Sequence, residues 1–217
     1  FQLIAPDLPS DFPPLRTLDH RPNNLPRQPT ALIGREKEIG AGCALIRRPD
    51  VALVTLTGPG GKGKTRLGLQ VAADPLDDFA DGVWFVELAA LTDPGFVVST
   101  IAQTLGAKEV PGQSLLGSLK SYLKEKQLLL VLDNFEHLLP AAARPLAELA
   151  AAAPSLRLVV TSRKTLRIQG EIELDLPPLA NGEAVALFVE RAQAVRAGVA
   201  EDETVHELCA RLDRLPL

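Results

Sequence analysis

The stretch Val51-Ala-Leu-Val-Thr-Leu-Thr57 runs straight into Gly58-Pro-Gly-Gly-Lys-Gly-Lys-Thr65 and then into a helical pattern. No other feature constrains the fold as much. A strand that is apolar on both sides belongs in the interior of a parallel sheet with helices on both faces, and the glycines let the backbone turn sharply from strand to helix. The same alternation recurs along the chain. Helical periodicity covers Glu36 to Arg47 and ends at Arg48-Pro49, because the residue before a proline is pushed out of the α region. Val83 to Glu87 reads as a strand, followed by helices over Pro94 to Leu105, capped by Asp93, and over Ser114 to Lys124, capped by Ser114 itself. Next come a strand from Leu128 to Leu132, a helix from Pro140 to Ala153, and strands at Arg157 to Thr161 and Glu171 to Leu176. The pattern predicts an α/β three-layer sandwich around a five-stranded parallel sheet.

Flanking regions differ from this core. Residues 1–30 contain seven prolines and no sustained period, which predicts an extended arm or linker. Beyond Pro177-Pro178 the pattern turns helical, over Glu183 to Ala197 and Glu201 to Arg211. The expected organisation is an arm (1–30), an α/β domain (31–179) and the start of a small helical domain (180–217), broken off before its end.

Aromatic residues make up only 4% of the 217, so the core must be aliphatic. The balance of 23 basic against 27 acidic residues, without a basic stripe, argues against direct nucleic-acid binding by this segment. Cys43 and Cys209 have no metal-ligand or disulfide pattern and read as reduced, packing thiols; His20, His137 and His206 share no ligand spacing. No apolar run is long enough to span a membrane, and a cytoplasmic location is expected. The chain contains no methionine, which suggests a piece of a longer polypeptide.

Gly58-x4-Gly63-Lys64-Thr65 matches the phosphate-loop pattern. Its glycines let successive N–H groups face phosphate oxygens at the positive end of the following helix. Lys64 supplies a mobile cation for the β- and γ-phosphates, and Thr65 a hydroxyl for Mg²⁺. Chance would give about one such match per hundred chains of this length, so an accidental glycine turn is a weak alternative. The second acidic site for the metal is expected at Asp133, which ends the apolar run Leu129-Leu-Val-Leu132. The next residue is Asn134, whose amide can orient a water but cannot take its proton. Glu136 is the nearest carboxylate and is either a base or a solvated loop residue. Slow hydrolysis is therefore predicted. Arg163, at the end of Val159-Val-Thr-Ser162, is placed to reach a γ-phosphate or to lie at the surface.

In this order the motifs resemble the STAND class of regulatory ATPases, specifically the NB-ARC-type switch of apoptosome scaffolds, plant resistance proteins and LuxR-type bacterial transcriptional regulators. The resemblance rests on Leu32-Ile-Gly-Arg-Glu36, Leu56-Thr-Gly-Pro-Gly-Gly61 with Gly63-Lys-Thr-Arg66, Val131-Leu-Asp-Asn134 with Glu136-His137, Val160-Thr-Ser-Arg163, and Leu176-Pro-Pro-Leu179 followed by Glu183-Ala and Leu187-Phe188. It implies that the Arg163 strand lies between the Asp133 strand and the phosphate-loop strand. It also implies that Ile33, Gly34 and Arg35 cover adenine and ribose, and that Pro216 packs on the base, although Arg214 stands where the family has glycine. Nucleotide contacts are carried over to Gly58, Pro59, Gly60, Gly61, Lys62, Gly63, Lys64, Thr65 and Arg66. Lys62, usually valine in this branch, either tightens nucleotide binding or points to solvent, and Gly68 replaces the usual alanine. Phe1-Gln-Leu-Ile to Leu15-Arg-Thr-Leu18 is similar to a segment that joins a class III cyclase domain to such an ATPase.

The expected function is an ATP/ADP-binding switch, a weak Mg²⁺-dependent ATPase, with catalytic roles at Lys64, Asp133, Glu136 and Arg163 and metal ligation by Thr65 and Asp133. The partners expected are an adenine nucleotide and downstream helical, winged-helix and repeat domains of the parent chain. The fragment is expected to be monomeric, with oligomerisation of the parent on activation left open. The competing readings are a catalytic phosphotransferase or ATP-driven motor, and a non-hydrolysing scaffold holding ADP.

Overall fold

The computed structural model describes residues 21–216. Five strands, β1 (Leu53–Thr57), β2 (Val83–Glu87), β3 (Leu129–Asp133), β4 (Arg157–Thr161) and β5 (Glu171–Asp175), form one sheet in the order β2-β3-β4-β1-β5. Every pairing is parallel. β4 thus separates β3 from β1, as the family resemblance implies. Around the sheet lie α1 (Glu36–Arg47), α2 (Lys64–Ala73), α3 (Val97–Leu105), α4 (Leu115–Leu123) and α5 (Ala143–Ala152); α6 (Asn181–Val195) and α7 (Glu203–Arg211) follow it.

The period of two in the strands divides the core into two layers. Leu130 and Leu132 pack with Leu158 and Val160 against Ile101, Leu119 and Leu146 of α3, α4 and α5. Leu129 and Val131 point to the other face, with Val54, Leu56 and Val159, against Ile46 of α1 and Leu67 and Val71 of α2. β1 and β3 are buried at every position, the reason both read as continuous apolar runs. A smaller third cluster joins Leu179, Ala184, Val185, Val205 and Cys209.

Both predicted caps form: Asp93 accepts from the Gly95 amide and Ser114 from the Gly117 amide. Several boundaries differ from expectation. Val51 and Ala52 lead into β1 without belonging to it, and the turn Pro94–Phe96 is a 3₁₀ turn ahead of α3. The helix expected from Pro140 begins at Ala143, residues 139–142 forming a turn ahead of it. Strands expected to reach Leu176 and to start at Leu128 end at Asp175 and start at Leu129. The helices expected over Glu183 to Ala197 and Glu201 to Arg211 run Asn181–Val195 and Glu203–Arg211, the latter capped by Asp202.

Of the predicted arm, residues 22–24 lie along the exposed edge of β2, and Gln28 and Thr30 against Arg66 of α2. The Val83 amide donates to the Pro22 carbonyl at 3.0 Å. The Asn24 side chain donates to the Phe85 carbonyl (2.8 Å) and accepts from the Phe85 amide (2.6 Å), imitating a neighbouring strand. Close passage requires Gly82, where a Cβ would stand 1.9 Å from the Pro22 carbonyl oxygen. The segment resembling a cyclase junction, Phe1 to Leu18, and His20 lie outside the described residues. Cys43 and Cys209 are both free and buried, and no helix among the described residues is long and apolar enough to cross a membrane.

Candidate functional site

The C-terminal ends of β1, β3 and β4 meet at one edge of the sheet, where ligands bind in open parallel α/β folds. The loop after β1 turns through Gly58 (φ +140°), Gly61 (φ +80°) and Gly63 (φ +84°), all in backbone regions closed to most L side chains. Gly63 is the N-cap of α2, so the loop delivers its amides to the positive end of that helix. No side chain fills the concavity, which holds about 270 Å³ between Gly60, Gly61, Lys64 and Thr65 on one side and Asn134, Glu136, Arg163 and Pro216 on the other.

Lys64 is buried, and its ammonium donates to the Gly58 and Pro59 carbonyls at 2.8 and 2.9 Å. Burial pushes its pKa below the usual lysine value, opposed by the nearby Glu136 carboxylate. The Thr65 hydroxyl donates to Asp133 Oδ1 at 2.8 Å. That same oxygen accepts from Thr161 of β4, whose hydroxyl also accepts the Asn134 amide at 3.0 Å. Thr161 therefore holds both the buried carboxylate and the left-handed turn at Asn134 (φ 61°). Arg163 is two-thirds exposed and its Nε sits 3.0 Å from Glu136 Oε1. The other oxygen, Glu136 Oε2, is buried with no partner.

A polyphosphate and Mg²⁺ fit these donors. Three glycines line the cradle, the buried lysine lacks a counter-ion in direct contact, and an adjacent hydroxyl–carboxylate pair is the protein contribution that Mg²⁺ usually takes beside phosphates.

The remaining predicted contacts divide. Gly60, Gly61, Gly63, Lys64 and Thr65 line the cradle, and Gly58 and Pro59 offer their carbonyls to Lys64. Lys62 does not point to solvent: its buried ammonium donates to the Leu176 carbonyl, tying the loop to the exit of β5. Arg66 turns its guanidinium to the arm, donating to the Thr30 and Ala31 carbonyls at 2.6 and 3.1 Å. Arg35 is 2% exposed; it pairs with Glu38 at 2.9 Å and donates to the Pro177 carbonyl at 2.9 Å and the Lys62 carbonyl at 3.3 Å. Gly34 (φ +69°) lies against Glu183 of α6 so closely that a Cβ would be 2.6 Å from the Glu183 Cβ. Ile33, Arg35 and Pro216 do converge, with Leu32, Leu179 and Leu187, around a hollow beside Gly63, but it holds only about 20 Å³, room for about one water. Sequence places Thr161 at the ligand edge of the sheet without giving it a role, and does not single out Leu179 and Leu187 as site residues.

Residues 50–168 match the family model described as an AAA domain. The chain is 42% identical over 170 residues to a Mycobacterium tuberculosis protein named as an HTH-type transcriptional regulator, a match covering 76% of this chain and 19% of that one. It is 29% identical over 221 residues to the regulatory protein AfsR of Streptomyces griseus, covering 96% and 22% respectively. The chain thus spans about a fifth of the length of these regulators. In fold it is similar to Cdc6p from Pyrobaculum aerophilum (TM-score 0.62, 20% identity, 89% of this chain and 58% of that one). A Pyrococcus horikoshii STAND protein with a tetratricopeptide repeat sensor is also similar (TM-score 0.60, 15% identity, 87% of this chain and 29% of that one). The architecture is that of a P-loop NTPase.

Proposed function

The chain belongs to the AAA-domain family, and from that premise we propose that it is the ATP/ADP-binding switch module of a STAND-type cytoplasmic signalling protein, of NB-ARC type, with slow Mg²⁺-dependent ATP hydrolysis. The observation that carries this reading is the joint presence of a side-chain-free cradle, a buried Lys64 and the Thr65–Asp133 pair at one sheet edge. In it, the loop amides and the N-terminus of α2 bind the polyphosphate, and Lys64 exchanges its two carbonyl partners for phosphate oxygens. When bound through Thr65 and Asp133, Mg²⁺ neutralises charge on the terminal phosphates. Thr161 keeps the Asp133 carboxylate turned toward Thr65.

Slow turnover follows from what lies past β3. The Asn134 amide orients water without accepting its proton, and Glu136 is engaged by Arg163 on one oxygen. Its second oxygen is buried without a partner. A γ-phosphate competes with Glu136 for Arg163, so the arginine reads the terminal phosphate. Residues 31–179 form the nucleotide domain in this reading, and residues 180–217 begin a helical domain whose packing against it, with further domains of the parent chain, changes with the nucleotide. The ion-paired state of Glu136 also supports a second reading, a non-hydrolysing scaffold that holds ADP.

Isothermal titration with ADP and ATP, with and without Mg²⁺, tests the proposal: both nucleotides should release or absorb heat, and no heat with either overturns it. Phosphate release then separates the two readings. The switch turns over slowly, and Lys64→Ala abolishes turnover; the scaffold stays at background before and after that change while its melting temperature in ADP falls. Turnover well above one per second would identify a catalytic enzyme instead.

A further inference from the structure

Thr30 lies half-buried in the arm, and one guanidinium from each of two helices converges on its hydroxyl oxygen. Arg191 of α6 donates through Nη2 at 2.7 Å, and Arg66 of α2 through Nη2 at 3.1 Å. Both acceptor directions of a neutral oxygen are thereby taken by cations, which leaves the hydroxyl hydrogen pointing away from them. The two guanidinium groups repel each other: burial first, then the charge of Arg191, lowers the pKa of Arg66. Glu190 answers this only in part, its Oε1 being 3.9 Å from Arg191. The arrangement has more positive charge than a threonine needs. It suits a phosphate ester on the same oxygen, which carries roughly −1.5 to −2 charge and three strong acceptors, because arginine forks match that geometry.

We propose that Thr30 is a phosphorylation site whose phosphate is received by Arg66 and Arg191, clamping the arm, α2 and α6 to one another. The donor is a nucleoside triphosphate held by a separate protein serine/threonine kinase. Thr30 Oγ1 attacks the γ-phosphorus, the bond to the β,γ-bridging oxygen breaks, the nucleoside diphosphate leaves, and the hydroxyl proton passes to a base of the kinase. Access is available because Thr30 sits in a bend between the exposed Pro29 and Ala31. The inference does not depend on nucleotide binding by the cleft.

The test installs phosphothreonine at position 30 of the whole chain by genetic-code expansion and measures melting without nucleotide. The modified protein should melt about 4 °C above the unmodified one, as expected for one to three added charge-assisted hydrogen bonds in a domain of this size. Arg191→Gln replaces a partly exposed side chain (37%) and should leave the unmodified fold intact by circular dichroism while removing the gain. Proteolysis of the arm after Arg27 should slow by roughly fivefold on phosphorylation, again only with Arg191 present. An unchanged or lower melting temperature, or a gain that survives Arg191→Gln, overturns the proposal.

Discussion

The two ends of the cleft are built from adjacent residues yet differ in readiness. At one end Gly60, Gly61, Gly63, Lys64 and Thr65 line a concavity of about 270 Å³ at the N-terminus of α2. At the other, Leu32, Ile33, Leu179, Leu187 and Pro216 close to about 20 Å³, less than any nucleobase requires. The first end is held by covalent constraints, glycine conformations and a helix terminus, which need no ligand to form. The second is held by packing between the 32–35 segment and the helices after the sheet, which can separate. The proposed site would therefore bind phosphates in a preformed place and admit the base only as α6 and its neighbours shift.

Substitutions at each end should separate the two. Lys64→Ala should weaken ADP and inorganic pyrophosphate alike by about a hundredfold or more, since it removes a charge-assisted contact common to both; calorimetry checks this. Gly34→Ala forces a side chain into a φ of +69° and onto Glu183. It should cost about 2–3 kcal/mol of stability, seen in denaturant melts, while pyrophosphate affinity stays unchanged. Leu187→Ala, at a residue that lines the small hollow and not the phosphate concavity, should lower ADP affinity about threefold and leave pyrophosphate untouched, a difference worth about 0.6 kcal/mol of base packing. Equal effects on both ligands would erase the distinction between the ends. Smallest is Gly68→Ala: a Cβ there stands 3.4 Å from Leu56 Cδ1 and Thr161 Cγ2. It should add about 0.5 kcal/mol, the helix-propensity gain less the tight contact, read as a slightly higher melting temperature in the apo protein.

The same contrast governs what could be read from sequence. β1, β3 and the loop were legible because their determinants are local: apolar residues on both faces, glycines where φ is positive, a lysine and threonine opening α2. Asp133 was legible as the end of an apolar run. Thr161 was not, because its role comes from strand order and register, which put β4 beside β3 and its hydroxyl on Asp133 Oδ1. The Leu176 partner of Lys62 was illegible for a related reason. The lysine's spacing in the loop suggests phosphate or solvent, and only the parallel pairing of β1 with β5 brings the Leu176 carbonyl within its reach. Arg66 lines the concavity, but its guanidinium partners are in the arm, whose residues 28–31 lie more than 30 positions earlier and could not be read from the loop. Boundaries slipped where a turn precedes the helix, as at Pro140, while Asp93, Ser114 and the Arg157–Thr161 strand followed local rules.

The most direct test is an amide chemical-shift titration. Adding ADP should move the Gly60 to Thr65 amides and also those of Leu32 to Arg35 and Leu187, whereas pyrophosphate should move the loop amides alone. Loop amides that stay in place at saturating ADP, or shifts confined to another surface, would contradict the account.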